Sequence, residues 1–422
     1  MTIVLGAGIS GISASYHLTQ KGIENIVFEK DDDWGGLCGN FEINGFRFDK
    51  AIHLSFTSDE YVKELFLKST EHITHNPLAY NYYKGSWLKH PAQNNLEPLS
   101  LSEKIEIIND FVENLNKKEN IENYEDWLKA QYGNYFSENF PIPYTRKYWT
   151  LEAKDLSTTW VGNRMYQPNI KEVLKGAFEK KTPNTYYASE MRYPVKGGYK
   201  SFLNYMRKDC DIRLNKKVIE IDTINKIVYF EDNTNHNYDD LISSIPLPEY
   251  KNLIKDMPIE VKNACEKLKY TSIALVSIGL NKLDIPKYLW FYIYDEDILA
   301  ARCYSPSIKS PDNVPKSCSS LQFEIYFSKD MPLKLTKEEL MNHIIEKSKK
   351  MGIFKKEDIM IKDCRILEYG NVIFYQGMED DRKMVLDYLE NLNIETIGRF
   401  GKWEYLWSDQ SLMSGREICK IY

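Results

Sequence analysis

The hydrophobic and polar positions of the chain change period several times, and each change marks an element. Ile3, Val4 and Leu5 form a short β-prone run that ends at Gly6. Beyond Gly6, Gly8 and Gly11, the stretch "ISASYHLTQKG" has helical spacing and stops at Gly22. "NIVFEK" then predicts a second strand ending in Glu29. Residues 59–140 predict mostly helix, clearest in "LSEKIEIINDFVENL" and "NYEDWLKAQYG". Within them, "AYNYYKGSWLKHPAQNN" alternates aromatic and polar residues around Lys84-Gly85, a hairpin signature. Between 270 and 328 the pattern is β, carried by "TSIALVSIGLN", "YLWFYIYDEDILAARCYS" and "SSLQFEIYFS". Helices return over 335–350 and 380–392. No repeat or low-complexity segment interrupts the chain.

Two further stretches complete the frame. "KKVIEIDTINKIVYFEDNTNHNYDDLISSIPL" reads as short strands around an Asn-rich turn, ending in an apolar strand. The chain end predicts a strand, a glycine turn with Arg399, and a helix beginning near Asp409 and Gln410. The predicted fold class is α/β: a Rossmann-type dinucleotide-binding domain with an inserted helical domain and an antiparallel sheet domain. The first is discontinuous, over 1–60, 190–250 and 394–422. The helical substrate or lid domain spans 61–189 and the sheet domain 251–393.

The opening carries chemistry. Gly6 permits a tight turn, Gly8 lets a pyrophosphate approach the backbone, and Gly11 lets helix and strand pack closely. The helix N-terminus favours the phosphate charge, and Glu29 stands where a carboxylate accepts bonds from a ribose diol. A glycine fingerprint alone is weak; here strand, turn, helix, strand and acid are all present. "DDDWGGLCGN" adds Gly35, Gly36 and Leu37 just beyond the acid. A second glycine pair lets the chain cross another part of a dinucleotide, which favours FAD over a nicotinamide cofactor. This start resembles that of the FAD-dependent amine oxidase superfamily. In that superfamily the later strands return to the dinucleotide domain, which puts Val218 beside the adenine, while Arg399 and the helix at Asp409 and Gln410 face the flavin pyrimidine.

Composition narrows the field further. The net charge is −6 with both signs dispersed, which argues against a nucleic-acid binder. No apolar run approaches the roughly 20 residues of a membrane span, and Met1 leads straight into a strand, so no signal peptide fits. The seven cysteines are scattered without a C-x-x-C, and the seven histidines are dispersed. Reduced cytoplasmic thiols and no metal site are expected. Many of the 30 tyrosines are expected in the core, and some excess lines a ligand pocket.

"YTRKYWTLEAKDLSTTWVGNRMYQPN" (144–169) places Trp149, Trp160 and Arg164 close together. With "GRFGKWEYLWSDQSLMSG", "HPAQNN" and the Trp290 to Arg302 spacing, it resembles UDP-galactopyranose mutases, the eukaryotic-type branch above all. The likeness runs nearly the full length. It implies a redox-neutral exchange of pyranose and furanose forms of a nucleotide sugar, within cell-surface polysaccharide biosynthesis. Reduced flavin N5 attacks the anomeric carbon and displaces the nucleoside diphosphate; an external reductant such as NAD(P)H supplies the reduced form. By the same resemblance Arg164 and Arg302 are the catalytic arginines, and His53 lies beside the flavin. Tyr292 and Tyr405 match diphosphate tyrosines, Gln93 a uridine-side residue, and Trp149 and Trp160 nucleotide-side aromatics.

The chain departs from the family where Ala51-Ile52 replaces a Gly-Gly before His53. His90 stands directly before Pro91 where an aromatic is expected two residues earlier. The tyrosine expected near "EYGNVIFYQG" is displaced, leaving Asn371 or Tyr375 as candidates. Another nucleotide-linked hexose or heptose fits these changes as well as UDP-galactopyranose. The rival reading is a flavin oxidoreductase of the amine oxidase or protoporphyrinogen oxidase type, which shares the first and last motifs. A third is a flavoprotein without catalysis.

Overall fold

Five strands form a parallel sheet in the order Ile394–Thr396, Asp240–Ser243, Thr2–Leu5, Asn25–Phe28 and Ile212–Arg213. The structure is a computed structural model. It describes every residue except 115–119, 163, 164, 186, 187, 189, 284, 286, 287, 421 and 422. Both faces of the sheet are covered, so its central strand Thr2–Leu5 is buried throughout, as parallel sheets require. The carboxyl ends of these strands converge at Gly6, Glu29 and Ser244, the edge where doubly wound sheets bind ligands. The fold is α/β, as expected.

The glycines at that edge have different causes. A Cβ on Gly11 would overlap the Gly6 carbonyl oxygen. Gly6 adopts φ = 96°, and a Cβ there would overlap Ser244 Oγ. Gly8 has φ = −72°, which suits any residue, and a Cβ there would meet nothing within 4 Å. Neither strain nor protein crowding explains the bare backbone at Gly8. A ligand approaching from outside does. Gly35 donates its N–H to the Ala7 carbonyl at 2.8 Å, and Gly36, at φ = 54°, would put a Cβ 3.1 Å from Gly8 Cα. The second glycine pair therefore lies directly over the first turn.

The last helix, Ser408–Ile418, docks on the first, Ile9–Gln20, through Gly415, where a Cβ would overlap the Ser10 carbonyl oxygen. Ser13 Oγ donates to the Leu412 carbonyl at 2.7 Å across the same contact. This contact returns the chain end to the dinucleotide edge and fixes residues 398–408 beside it.

A seven-stranded sheet stands opposite. Its order is Ile359–Val372, Tyr270–Leu280, Ser319–Phe327, Arg302–Tyr304, Trp290–Ile293, Ala79–Tyr83 and Ser86–Lys89. Neighbours are antiparallel except Trp290–Ile293 with Ala79–Tyr83. Lys84 and Gly85, at φ = 45° and 85°, form the expected two-residue hairpin turn between Tyr83 and Ser86. This hairpin lies in the segment read as mainly helical, yet it completes the sheet. Period two sorts the sheet faces. Ala274, Val276, Ile278, Leu321, Phe323 and Ile325 pack on Leu340 and Ile344 of the helix Lys337–Lys350. Gln322, Glu324 and Tyr326 alternate with the strand's apolar set. The 14-residue strand Ile359–Val372 has no counterpart among the sequence expectations, because it is an edge strand whose Lys362, Asp363, Arg365 and Glu368, spread over both faces, break the apolar alternation.

Helices Leu101–Asn114, Tyr124–Tyr132, Asn134–Asn139, Pro141–Trp149 and Ile170–Phe178 form a third layer. Among the described residues no helix is long and apolar enough to cross a membrane. The first part of the aromatic stretch is helix, Pro141–Trp149, with Pro at its start and Tyr144 and Tyr148 one turn apart. Gly8 and Gly11 give a test of the glycine argument. Gly8→Val is expected to purify folded, with an unchanged melting midpoint in the flavin-free state, but without flavin absorbance. Gly11→Val is expected to lose the fold, read as loss of the cooperative thermal transition.

Candidate active site

Tyr292, Arg302 and Glu324 are successive cross-strand partners on one row of the large sheet. Arg302 Nε forms an ion pair with Glu324 Oε2, and Glu324 is fully buried. The same carboxylate accepts from Tyr326 Oη at 2.6 Å and, through Oε1, from the Ile52 N–H at 2.8 Å. Burial opposes the Glu324 charge, but the Arg302 guanidinium and these two donors hold its carboxyl below the usual range. Burial likewise opposes the Arg302 charge, and Glu324 more than offsets it. The guanidinium lies 5.4 Å from the Tyr148 ring centre, within cation–π range.

Two cavities meet at this arginine. The inner one, about 170 Å³, is lined by Ala51, Ile52, His53, Asn371, Arg399 and Leu37, among others. The outer one, about 570 Å³, is lined by His90, Gln93, Tyr144, Trp149 and Trp160 among others. Tyr148, Tyr292, Arg302, Tyr405 and Trp407 line both, so they form the neck between them.

Among the described residues, the inner cavity has one cation without a carboxylate. Arg399 donates through Nε to the Leu406 carbonyl at 2.8 Å and through one Nη to Asn371 Oδ1 at 3.3 Å, and it forms no ion pair among the described residues. Tyr148 Oη is 3.1 Å from Tyr405 Oη and 3.5 Å from Asn371 Oδ1, which ties the neck to Arg399. Of the two candidates near "EYGNVIFYQG", Asn371 lines the cavity. Tyr375 instead donates to Asp381 at 2.8 Å.

His53 stands on a turn with Ala51 at φ = 95°, a conformation that favours glycine and costs roughly 1–3 kcal/mol for other residues. Burial pulls His53 down to about 4, so it is neutral at pH 7. Its Nδ1 is 3.2 Å from the Ala51 carbonyl, which can only accept. The proton is therefore on Nδ1, and Nε2 is the bare nitrogen.

The outer cavity is held by a buried lysine. Lys147 Nζ donates to the Ile293 and Asp295 carbonyls at 2.7 and 3.0 Å, joining the helix of Tyr144, Tyr148 and Trp149 to the strand of Tyr292. Burial pulls this lysine down to about 7. Trp149 is buried, with its ring centre 4.9 Å from Trp160 and 5.3 Å from Tyr405. His90 packs against Tyr292 with ring centres 4.9 Å apart and planes tilted by 41°, and burial lowers it to about 4. Gln93 Nε2 donates to the Tyr166 carbonyl at 3.3 Å.

The dinucleotide edge fits a cofactor at Gly8. Glu29, 7% exposed, accepts N–H bonds from Ala7 at 2.7 Å and Asp31 at 3.0 Å. Burial nonetheless raises its carboxyl above the usual range. Lys216 donates its N–H to the Glu29 carbonyl at 2.8 Å, which brings the start of the strand Val218–Asp222 next to the acid. Gly36 begins a turn of 3₁₀ helix that carries Leu37 to the inner cavity. At the far end, Gln410 is exposed and its Oε1 accepts the Trp407 N–H at 2.9 Å, capping the helix. Asp409 lies in the helix's first turn, and Ser408 rather than either residue lines the cavity. Arg164 lies outside the described residues.

Sequence reasoning passed over Glu324, Tyr326, Tyr148 and Trp407. The signal was present in "QFEIYF", where Gln322, Glu324 and Tyr326 alternate with apolar residues on a long strand. Among the described residues no His, Cys, Asp and Glu group suits a metal ion.

The fold has relatives. A solved structure of reduced UDP-galactopyranose mutase superposes with a TM-score of 0.93 at 23% identity, covering 99% of this chain and 94% of that one. A putrescine oxidase bound to putrescine superposes at 0.68 with 13% identity, covering 100% and 98%. At such identities these likenesses establish the fold. By sequence, a 1-hydroxycarotenoid 3,4-desaturase of Flavobacterium sp. is 41% identical over 63 residues, 15% of this chain and 13% of the desaturase. The chain thus spans only a small part of that relative's length. The sequence model of the flavin containing amine oxidoreductases matches residues 9–357, far more than half of the chain, and the protein belongs to that flavin-dependent enzyme family.

Proposed function

We propose that the protein is a nucleotide-sugar pyranose–furanose mutase that uses FAD in its reduced form. The observation that carries this reading is the neck. An arginine held by a buried carboxylate stands between an inner cavity beside the flavin edge and a larger aromatic cavity. A glycosyl diphosphate has this division: a sugar, an anion, and a base that stacks. Reduced FAD would supply the nucleophile toward the anomeric carbon and leave the cycle unchanged in oxidation state. Arg302, with Tyr292 and Tyr405, would take the growing charge of the departing diphosphate. Arg399 would balance negative charge on the reduced cofactor, since no carboxylate among the described residues pairs with it. Trp149 and Trp160 would pack the nucleotide, and Gln93 would bond the base. Arg164 keeps its role as the second arginine by resemblance alone. The seven unpaired cysteines support a reducing, cytoplasmic setting.

The competing reading is a flavin oxidoreductase that oxidises an apolar or amine substrate, the chemistry named by the matched family. One experiment separates the two. Dithionite-reduced protein is incubated with a panel of nucleoside diphosphate hexoses and heptoses, and products are resolved by chromatography. The expected result is ring contraction with no reductant consumed per turnover. Oxidised product formed in step with acceptor consumption overturns the proposal. Arg302→Lys keeps the charge beside Glu324 but loses the planar fork. It is expected to lower kcat about tenfold to a hundredfold, equivalent to roughly 1.4–2.8 kcal/mol, with a smaller change in KM.

The histidines set the acid limit. Both His53 and His90 are lowered to about 4 in the folded protein, against about 6.5 in the unfolded chain. Between these values the unfolded chain binds more protons, so their contribution to stability is complete above about pH 6.5 and is lost as the pH falls through 4. Urea midpoints measured from pH 7 to 4 are expected to fall, and His53→Gln is expected to flatten the slope.

A further inference from the structure

The turn at Ala51–His53 forms one wall of the inner cavity, and two buried charges grip it from behind. The Ile52 N–H donates to Glu324, as above. On the other side, Lys309 Nζ donates to the His53 carbonyl at 3.3 Å and to Asp49 Oδ2 at 2.7 Å. Lys309 is fully buried and lines neither cavity. Its ammonium lies over the Tyr304 and Tyr193 rings, 4.2 and 4.7 Å from their centres. Asp49 also accepts from Tyr193 Oη at 2.8 Å and the Tyr199 N–H at 3.1 Å, so its position is fixed from three directions.

A buried ion pair is a poor stabiliser, since apolar side chains of equal volume would pack as well or better. Its physical advantage is geometric. A paired ammonium presents hydrogen-bond donors at fixed points, and here one of them falls on the carbonyl of the residue that bears the imidazole. The turn it holds is otherwise costly. Ala51 is left-handed without being glycine, and Ile52 is β-branched, so the chain gains nothing from backbone freedom there. A strained turn persists only when its surroundings over-determine it. Glu324 and Lys309 supply that constraint at consecutive residues.

We infer that Lys309, together with Glu324, is a positioning residue that holds the Ala51–His53 turn in one conformation against the flavin, in both oxidation states of that flavin. The inference rests on flavin binding and not on ring contraction. A protein that holds flavin but turns over no nucleotide sugar still reports on it.

The test is hydrogen exchange of residues 51–54 in flavin-loaded protein, oxidised and dithionite-reduced, with the strand Thr2–Leu5 as internal reference. The wild-type segment is expected to exchange at the same rate in both states, within about twofold. Lys309→Met is expected to speed exchange of the segment at least tenfold, leave Thr2–Leu5 unchanged, and move the flavin reduction potential. Lys309→Arg should restore much of the protection. If a mutase substrate is found, kcat should fall in Lys309→Met while KM holds. Where Lys309→Met does not fold, the pair Lys309→Met with Asp49→Asn leaves no unpaired buried charge and still strips the His53 carbonyl of its donor. A wild-type segment whose exchange differs more than tenfold between oxidation states overturns the inference. So does a folded variant, single or double, that protects the segment as well as the wild type.

Discussion

The carboxylate of Glu324 is the constraint on which the site depends. It has no exposure to solvent, yet it is ionised, because a guanidinium, a phenol and a backbone N–H all point at it. Removing one partner from such a group costs about 3–5 kcal/mol, since the remaining charge stays buried and unmatched. The three partners are therefore fixed relative to one another: Arg302 at the neck, and Tyr326 and Ile52 in the wall of the inner cavity. One carboxylate thus sets the distance between the group that would meet an anion and the turn that would meet the cofactor. The large sheet makes this possible. Arg302 and Glu324 are lateral neighbours in register, and the strand's period of two aims both away from the apolar layer beneath.

The two ends of the chain are bound to this arrangement by glycines rather than charges. Gly11 lets the first helix close on the opening turn at Gly6, and Gly415 lets the last helix touch the first backbone to backbone. That contact brings Arg399, Tyr405 and Trp407 to the cavity from a segment nearly 400 residues away from the opening turn. Removing a Cβ is the way to bring two backbones together that keeps polar surface out of the contact. Gly8 differs in kind, since its missing Cβ faces open space.

How much of this the sequence discloses depends on the range of the interaction. The glycine turn and Glu29 are local, with each residue's role set within one strand–helix–strand unit, and they can be read directly. The Lys84-Gly85 hairpin is equally local. Its parallel pairing with Trp290–Ile293 is not, because nothing near residue 80 names a partner 210 residues on. Glu324 is only half legible for a related reason: the alternation in "QFEIYF" marks its face but not its partners. A single acid on a strand reads as a solvent-facing position, and only the distant Ile52 and the adjacent strand's Arg302 make it a buried anchor. The strand Ile359–Val372 reads as polar because it lies at the sheet's edge and carries polar residues on both faces. Gln410 shows the converse: the helix start is legible, but its side chain accepts the Trp407 N–H and caps the helix. The Ala51-Ile52 substitution is visible in sequence as a loss of freedom, while the two charges behind it are not.

The inner cavity is lined from one side by Leu37 of the dinucleotide edge and from the other by Arg302 and Tyr326 of the large sheet. A dinucleotide cradle accommodates any flavin reaction, so it cannot distinguish a desaturase from a mutase. The far wall can. A polyene asks for an apolar channel, and a buried arginine beside one would face it with desolvated donors left unbonded. Here the wall opposite the cradle presents Arg302, Tyr292, Tyr405 and Tyr148, with their polar atoms gathered at the neck and aromatic faces beyond it. Glu324 already neutralises Arg302, so among the described residues the net positive charge of the inner cavity comes from Arg399. An anion at the neck is then drawn by two sources at once: by the remaining donors of a paired guanidinium, which give direction, and by an unpaired one behind it, which gives field. Directional donors at the neck and net charge deeper in suit a ligand whose charge sits beside its reacting carbon and grows during the reaction.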